Sequence, residues 1–282
     1  YSTILALCFG TMGLPHVLVR FYTNPDGTAA RRTTVIVIAL LGAFYVFPPL
    51  YGMLARVNLP TLPAGVSSDS VVLLLPGAVA PGALGDLLSA ILAGGAFAAF
   101  LSTASGLTVS VAGVIDQDLL SGALNKRLGG DLPATQSFRL ASIVAIGVPF
   151  AASWLAPNLA LADLVGMAFA IAASTLCPLL LLGVWWRRLS TASAAAGMVV
   201  GATLAIGATA ATFVGVPADA LGGWLPVLLA QPAAWSMPAA FAAAMVVSLA
   251  TPGSVPKNAA RILVRLHVPE EVTQRGASAS PN

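Results

Sequence analysis

Residues 2–22 read STILALCFGTMGLPHVLVRFY, and a helix that spans a membrane needs about 20 predominantly apolar residues. Two glycines and a proline, Gly10, Gly13 and Pro15, stand at the centre of this run. Proline removes a backbone donor and clashes with the preceding turn, while glycine allows the freed backbone to unwind. The pattern predicts either a helix broken near the membrane midplane, whose second half presents free N–H groups to an anion, or a simple proline kink.

The whole chain shares this apolar character. Of its 282 residues, 58% are hydrophobic and 8% are charged, and the mean hydropathy is +0.91. Soluble domains carry roughly 25% charged residues, so we expect an all-α polytopic membrane protein in a lipid bilayer. Its apolar segments predict about seven transmembrane helices. They lie near 2–22, 33–55, 86–115, 138–156, 160–185, 192–215 and 233–251.

The positions of the basic residues predict how these helices are oriented across the membrane. Twelve of the 13 Lys and Arg residues fall on alternate connections and on the tail, and only Arg56 falls on the opposite side. Because positive charge accumulates on cytoplasmic loops, we expect the N-terminal end of this chain to be extracytoplasmic and its C-terminus to be cytoplasmic, in the plasma membrane. No aromatic residues are interleaved with the basic ones, so we expect no nucleic-acid partner.

Two connecting segments are expected to contain short helices. The connection 56–85 is rich in Pro and Gly around the apolar run 71–75, which favours an outer loop with a helical or re-entrant piece. In the tail, Arg261 and Arg265 lie one turn apart beside an apolar face. That pattern indicates an interfacial helix on the cytoplasmic leaflet.

Residues 94–106, GGAFAAFLSTASG, bring small residues and three hydroxyls to the middle of the third segment. Small residues allow close helix packing, and hydroxyls at this depth need partners. Sodium is a hard cation that takes oxygen ligands, and the hydroxyls of Ser102 and Thr103 lie one turn beyond the carbonyl of Ala99. If the helix loosens here, the three oxygens would coordinate one sodium ion. The alternative is that the hydroxyls bond back to helix carbonyls and serve packing.

Other polar residues give weaker signals. His16 lies within a predicted span, which makes it a candidate for a substrate or proton role as well as for packing. Asp163 is expected to cap the fifth segment, and Asp116 and Asp118 are expected to begin a solvated loop. The sequence contains no catalytic, nucleotide-binding or zinc motif, so we expect neither an enzyme nor a cofactor.

Three stretches carry a family resemblance. They are GTMGLPHVLVRFYT at 10–23 followed by AARR at 29–32, LSTASGL at 101–107, and GMAFAIAAS at 166–174. Together they resemble the sodium:solute symporter family, and most closely its cation/acetate (monocarboxylate) symporters. The resemblance covers roughly residues 1–215. The first and third stretches are specific, whereas the second is shared by the wider superfamily.

The resemblance implies a leucine-transporter-like fold of two inverted five-helix repeats. On this pattern the chain is a C-terminal fragment, and the missing N-terminal half of the same protein would be its partner. A transmembrane symporter domain would cover 1–252, with the second repeat at about 1–185 and additional helices at about 192–251. A cytoplasmic tail would cover 253–282.

The resemblance also implies two sites. The broken helix lines a substrate site, and its candidate residues are Thr11, Gly13, Leu14 and His16. The family's sodium ligands fall on the carbonyl of Ala99 and the hydroxyls of Ser102 and Thr103. The remaining sodium ligands would come from the first repeat.

The implied function is secondary active transport: sodium-coupled symport of a small monocarboxylate such as acetate, with sodium as the coupling ion. Acetate-type members commonly have other residues at 101–103, where this chain has the Ser-Thr pair of other sodium-dependent branches. Three alternatives stay open. They are sodium symport of an amino acid, sugar or vitamin, a transporter-like sensor domain, and a nonfunctional gene fragment.

Overall fold

A computed structural model describes residues 1–14, 17, 24–62, 66–124, 133–155, 161–213, 223–256 and 258–267. The backbone of this part of the chain is helical, with no strand. The helices form two compact units, which we describe separately. One unit comprises Tyr1–Gly27 with Leu161–Asn282, and the other comprises Thr28–Ala160.

Eleven α-helices are present in the described ranges. In chain order they are α1 (Ser2–Gly13), α2 (Gly27–Phe44), α3 (Phe47–Asn58), α4 (Val71–Val79), α5 (Ala83–Val114), α6 (Ala134–Leu155), α7 (Leu161–Trp185), α8 (Thr191–Phe213), α9 (Leu225–Ala230), α10 (Ala233–Ala250) and α11 (Ala259–His267). Short 3-10 turns occur at Ser68–Ser70 and Pro252–Ser254, and a π-helical segment, Ile115–Leu124, follows α5.

Six helical stretches within the described residues are long and apolar enough to cross a membrane. They are Gly27–Asn58, Ala83–Leu120, Thr135–Trp154, Leu161–Trp185, Thr191–Phe213 and Ala233–Ala250. They confirm the six predicted spans from the second to the seventh. Helix α1 covers only the start of the predicted span 2–22, and most of the remainder lies outside the described residues. The chain is thus an all-α polytopic membrane protein.

The helix ends differ from the predicted ones for local reasons. Helix α2 begins at Gly27 rather than near 33, because the alanines and arginines at 29–32 are good helix formers. It ends at Phe44, just before Pro48 and Pro49, which have no N–H group to donate. The π-helical segment shows that the expected loop at Asp116 and Asp118 is wrong, since the helical backbone continues to Leu124.

In the first unit, α7 packs against α1, α8 and α10. Small residues form these contacts. A Cβ at Gly13 would lie 2.7 Å from the carbonyl oxygen of Ala172, and a Cβ at Gly201 would meet the carbonyl oxygen of Ser174. Where lipid competes for apolar contact, such close backbone approach is what holds helices together.

A pair of buried serines also joins α7 to α10. The hydroxyls of Ser174 and Ser236 are 2.7 Å apart, and both side chains are fully buried. Each hydroxyl lies within hydrogen-bond distance of a carbonyl on its own helix, at Ala170 and Pro232 respectively. Neither buried hydroxyl is therefore left without a partner, which would be costly in this setting.

In the second unit, α4 packs against α3 and α5, and α5 packs against α6. Helix α4 confirms that the connection 56–85 contains a helical piece around residues 71–75. The chain turns from α4 into α5 at Gly82, whose φ of +105° favours glycine. Ala112, Ala141 and Ala145 form the contact between α5 and α6.

The close contact at Gly201 predicts a loss of stability when a methyl group is added. Gly201→Ala puts a Cβ against the carbonyl of Ser174, and overpacking of this kind costs about 1–3 kcal/mol. Gly207→Ala on the same helix is the control, because its Cβ would meet nothing within 4 Å. We expect Gly201→Ala to lower the melting temperature of the detergent-purified full-length protein, and Gly207→Ala to leave it unchanged or raise it. Equal melting temperatures for the two variants would contradict the packing at Gly201.

Candidate functional site

The helix break predicted from the sequence is present at the end of α1. The α-helix stops at Gly13, and Leu14 adopts extended backbone angles of φ −80° and ψ 118°. The N–H of Leu14 donates to the carbonyl of Thr11 at 3.4 Å, and the carbonyl of Leu14 accepts from Val17 at 3.1 Å. The backbone leaves the α conformation at Leu14, which favours a break over a simple kink. Residues 15, 16 and 18–23, where the second half of the segment would lie, are outside the described residues.

The predicted substrate residues have different surroundings. Thr11 is exposed, and its hydroxyl donates to the carbonyl of Leu7 at 2.6 Å. Gly13 is buried against α7, whereas Leu14 is partly buried. His16 lies outside the described residues, as do Pro15 and Arg20. Of the three predicted residues that the structure describes, only Thr11 therefore presents an exposed side chain at the break.

The start of α7 has a polar neighbour that the sequence analysis missed. The Nε2 atom of Gln231 lies 3.4 Å from where a Cβ of Gly166 would be. The Oε1 atom of Gln231 is buried and has no hydrogen-bond partner in the described part of the chain. The hydroxyl of Ser2 donates to the backbone carbonyl of Gln231 at 2.6 Å and accepts from the N–H of Ala234 at 3.0 Å. Gln231 therefore lies where α1, α7 and α10 begin.

The predicted sodium ligands lie in the second unit, on a regular part of α5. The helix is continuous from Ala83 to Val114, so it does not loosen at Ala99. Ser102 and Thr103 are exposed, and their hydroxyls make no hydrogen bond to any described residue. By contrast, the hydroxyl of Ser105 donates to the carbonyl of Ser102 at 3.0 Å, and that of Ser110 donates to Gly106 at 2.9 Å.

Three carboxylates outside these sites differ in their surroundings. The Oδ1 atom of Asp116 in the π-helical segment is buried, with no hydrogen-bond partner in the described ranges. π-helical turns frequently occur at functional sites, but no sequence signal distinguishes Asp116 from Asp118, which is exposed. Asp163 lies in the first turn of α7, where its charge complements the helix dipole. A side-chain cap from Asp163 stays a prediction.

The described residues contain no group of three or more His, Cys, Asp or Glu side chains that could hold a metal ion. Hydroxyl and carbonyl oxygens are suitable ligands for a hard ion such as sodium.

Several known proteins are similar to this chain in sequence. The sequence model of the sodium:solute symporter family matches residues 1–201. A monocarboxylic acid transporter of Corynebacterium glutamicum is 30% identical over 263 residues, which are 82% of this chain and 46% of the relative. No solved structure matches the chain.

Two further relatives are described only as uncharacterised symporters. The one from Bacillus subtilis is 32% identical over 202 residues, covering 71% of this chain and 39% of its own length. The one from Cupriavidus necator is 31% identical over 294 residues, covering 90% and 42% respectively. The chain thus spans less than half the length of each of these three relatives.

Proposed function

Because the chain belongs to the sodium:solute symporter family, we propose that it takes part in sodium-coupled symport of a small monocarboxylate, such as acetate, across the plasma membrane. The observation that supports this most is the end of α1 at Leu14, inside an apolar segment. In a lipid bilayer, non-helical backbone is tolerated only where it is buried in protein or lines a watery cavity. Discontinuous helices of this kind form the substrate sites of many secondary transporters.

The substrate class is proposed from the break and from one relative. An anion fits the N-terminal end of a half-helix, where backbone N–H groups and the helix dipole both favour negative charge. The relative from Corynebacterium glutamicum is named a monocarboxylic acid transporter. We place Thr11, Gly13, Leu14 and His16 at this substrate site, with the exposed hydroxyl of Thr11 as a donor to the carboxylate.

The sodium site is proposed on α5. The hydroxyls of Ser102 and Thr103 are not bonded back to their own helix, which leaves their oxygens available to a cation. The carbonyl of Ala99 accepts a backbone hydrogen bond within a regular helix. A carbonyl oxygen has a second lone pair, which we propose binds the sodium ion. Three neutral oxygens do not complete a sodium site. Since the matched relatives are more than twice the aligned length, we propose that further ligands come from a preceding inverted repeat.

Uptake by the full-length protein in proteoliposomes tests the proposed function. With an inward sodium gradient, we expect labelled acetate to accumulate inside the vesicles, and no accumulation when potassium replaces sodium. Excess propionate should compete with acetate, whereas alanine and glucose should not.

Two results would contradict the proposal. Competition by alanine or glucose alone would indicate an amino acid or sugar symporter. A folded protein that binds a solute but transports none would indicate a sensor domain.

A further inference from the structure

A cavity of about 360 Å³ lies between the end of α7 and the tail helix α11. Trp185 and Arg187 line it from the end of α7 and the turn that follows, and Ala260, Val264 and His267 line it from α11. Its volume is within the ~300–1,000 Å³ of small-molecule pockets. The family match ends at residue 201, so α11 lies outside it. This cavity is separate from the proposed substrate and sodium residues.

Both walls of the cavity are held in place. The indole Nε1 of Trp186 donates to the hydroxyl of Ser248 at 3.1 Å, and that hydroxyl donates to the carbonyl of Arg188 at 2.6 Å. These bonds fix the turn that carries Arg187 to the end of α10. On the other wall, the ring of His267 packs edge-on against Trp185, with centroids 5.0 Å apart. The cavity is therefore an open groove of the first unit, with these contacts on its two walls.

The described lining of the cavity carries a positive charge. Arg187 contributes a guanidinium, and none of the described residues that line the cavity is acidic. A guanidinium can donate two parallel hydrogen bonds to the oxygens of a phosphate group. The aromatic ring of Trp185, which is 71% exposed, is a side chain typical of the level of the lipid headgroups.

The tail helix also presents apolar residues that do not line the cavity. Ile262 and Leu266 lie one turn apart and are 54% and 61% exposed. A helix of nine residues is too short to be stable alone in water. A short amphipathic helix gains stability by lying in the membrane interface, with its apolar face toward the acyl chains. A lipid whose acyl chains contact Ile262 and Leu266 would have its headgroup near the cavity.

We propose that the cavity between α7 and α11 binds the headgroup of an anionic phospholipid. Arg187 binds the phosphate, and Trp185 and His267 enclose the headgroup. The acyl chains lie along Ile262 and Leu266, so the lipid holds α11 against the end of α7.

Thermal stability of the detergent-purified full-length protein, titrated with phosphatidylglycerol, tests this site. We expect a saturable rise in melting temperature, with phosphatidylcholine and inorganic phosphate giving little change. Arg187→Gln should weaken the apparent affinity about tenfold, which is the scale of one lost hydrogen bond to a charged group. Ala260→Phe should weaken the apparent affinity as well, because the phenyl ring would fill the cavity while the charge of Arg187 is retained.

Arg188→Gln is the matched control. It removes the same charge one residue away, and Arg188 does not line this cavity. We expect it to change the affinity by no more than about twofold, since exposed surface charge contributes little. Equal effects of Arg187→Gln and Arg188→Gln would overturn the proposal, and so would full binding by Ala260→Phe. An equal response to inorganic phosphate would show a free-anion site in place of a lipid site.

Discussion

Removing the hydroxyl of Ser102 or Thr103 is expected to raise the sodium half-saturation constant of uptake roughly 10- to 100-fold. A hydrogen bond to a charged group contributes about 1.5–3 kcal/mol, which we take as the scale of an ion–hydroxyl contact. Each ~1.4 kcal/mol corresponds to a tenfold change in affinity. The three ligands proposed on α5 are neutral oxygens, so no carboxylate among them compensates for a lost hydroxyl. Substrate affinity at saturating sodium should change much less.

The measurement is acetate uptake by the full-length protein as the sodium concentration is varied, for Ser102→Ala, Thr103→Ala and two control variants. Ser105→Ala and Ser110→Ala remove hydroxyls from the same helix that are already bonded back to it. These controls should keep the parental sodium dependence. If Ser102→Ala and Thr103→Ala also keep it, their hydroxyls only pack against neighbouring helices and the proposed sodium site is wrong.

The membrane-spanning architecture could be predicted from the sequence because it depends on local composition. Apolar length alone located six of the spans, and two glycines and a proline located the break in α1. The tail helix α11 followed from the spacing of Arg261 and Arg265. Each of these features is fixed by residues within a few turns of one another.

The roles of single side chains depend on tertiary packing and could not be predicted in the same way. Gly13 suggested only that the backbone could unwind, whereas the structure places it against the carbonyl of Ala172. Asp116 reads as a surface residue at the end of a span, yet one of its oxygens is buried. Gln231 has no sequence signal, because its position depends on α1, α7 and α10 meeting there. The surroundings of these three residues are decided by contacts between segments that are distant in sequence.

The packing of Gly13 determines how the substrate site should be tested. Gly13→Val would place side-chain atoms against the backbone of Ala172 and Cys177. Lost uptake in that variant would follow from disturbed packing of α1 on α7, whether or not the break binds substrate. A useful variant must change a group that is exposed at the break and leave the contact with α7 intact. Thr11 meets both conditions.

Thr11→Val is therefore expected to raise the KM for acetate by about tenfold, at the lower end of the range for a hydrogen bond to a charged group. The lower end applies because the hydroxyl must leave the carbonyl of Leu7 to donate to a carboxylate. Valine has nearly the same shape as threonine, so folding should persist. Thr203→Val is the control, since that exposed hydroxyl is also bonded back to its own helix. Uptake kinetics at saturating sodium give the KM for acetate of both variants. An unchanged KM in Thr11→Val, or an equal rise in Thr203→Val, would remove Thr11 from the substrate site.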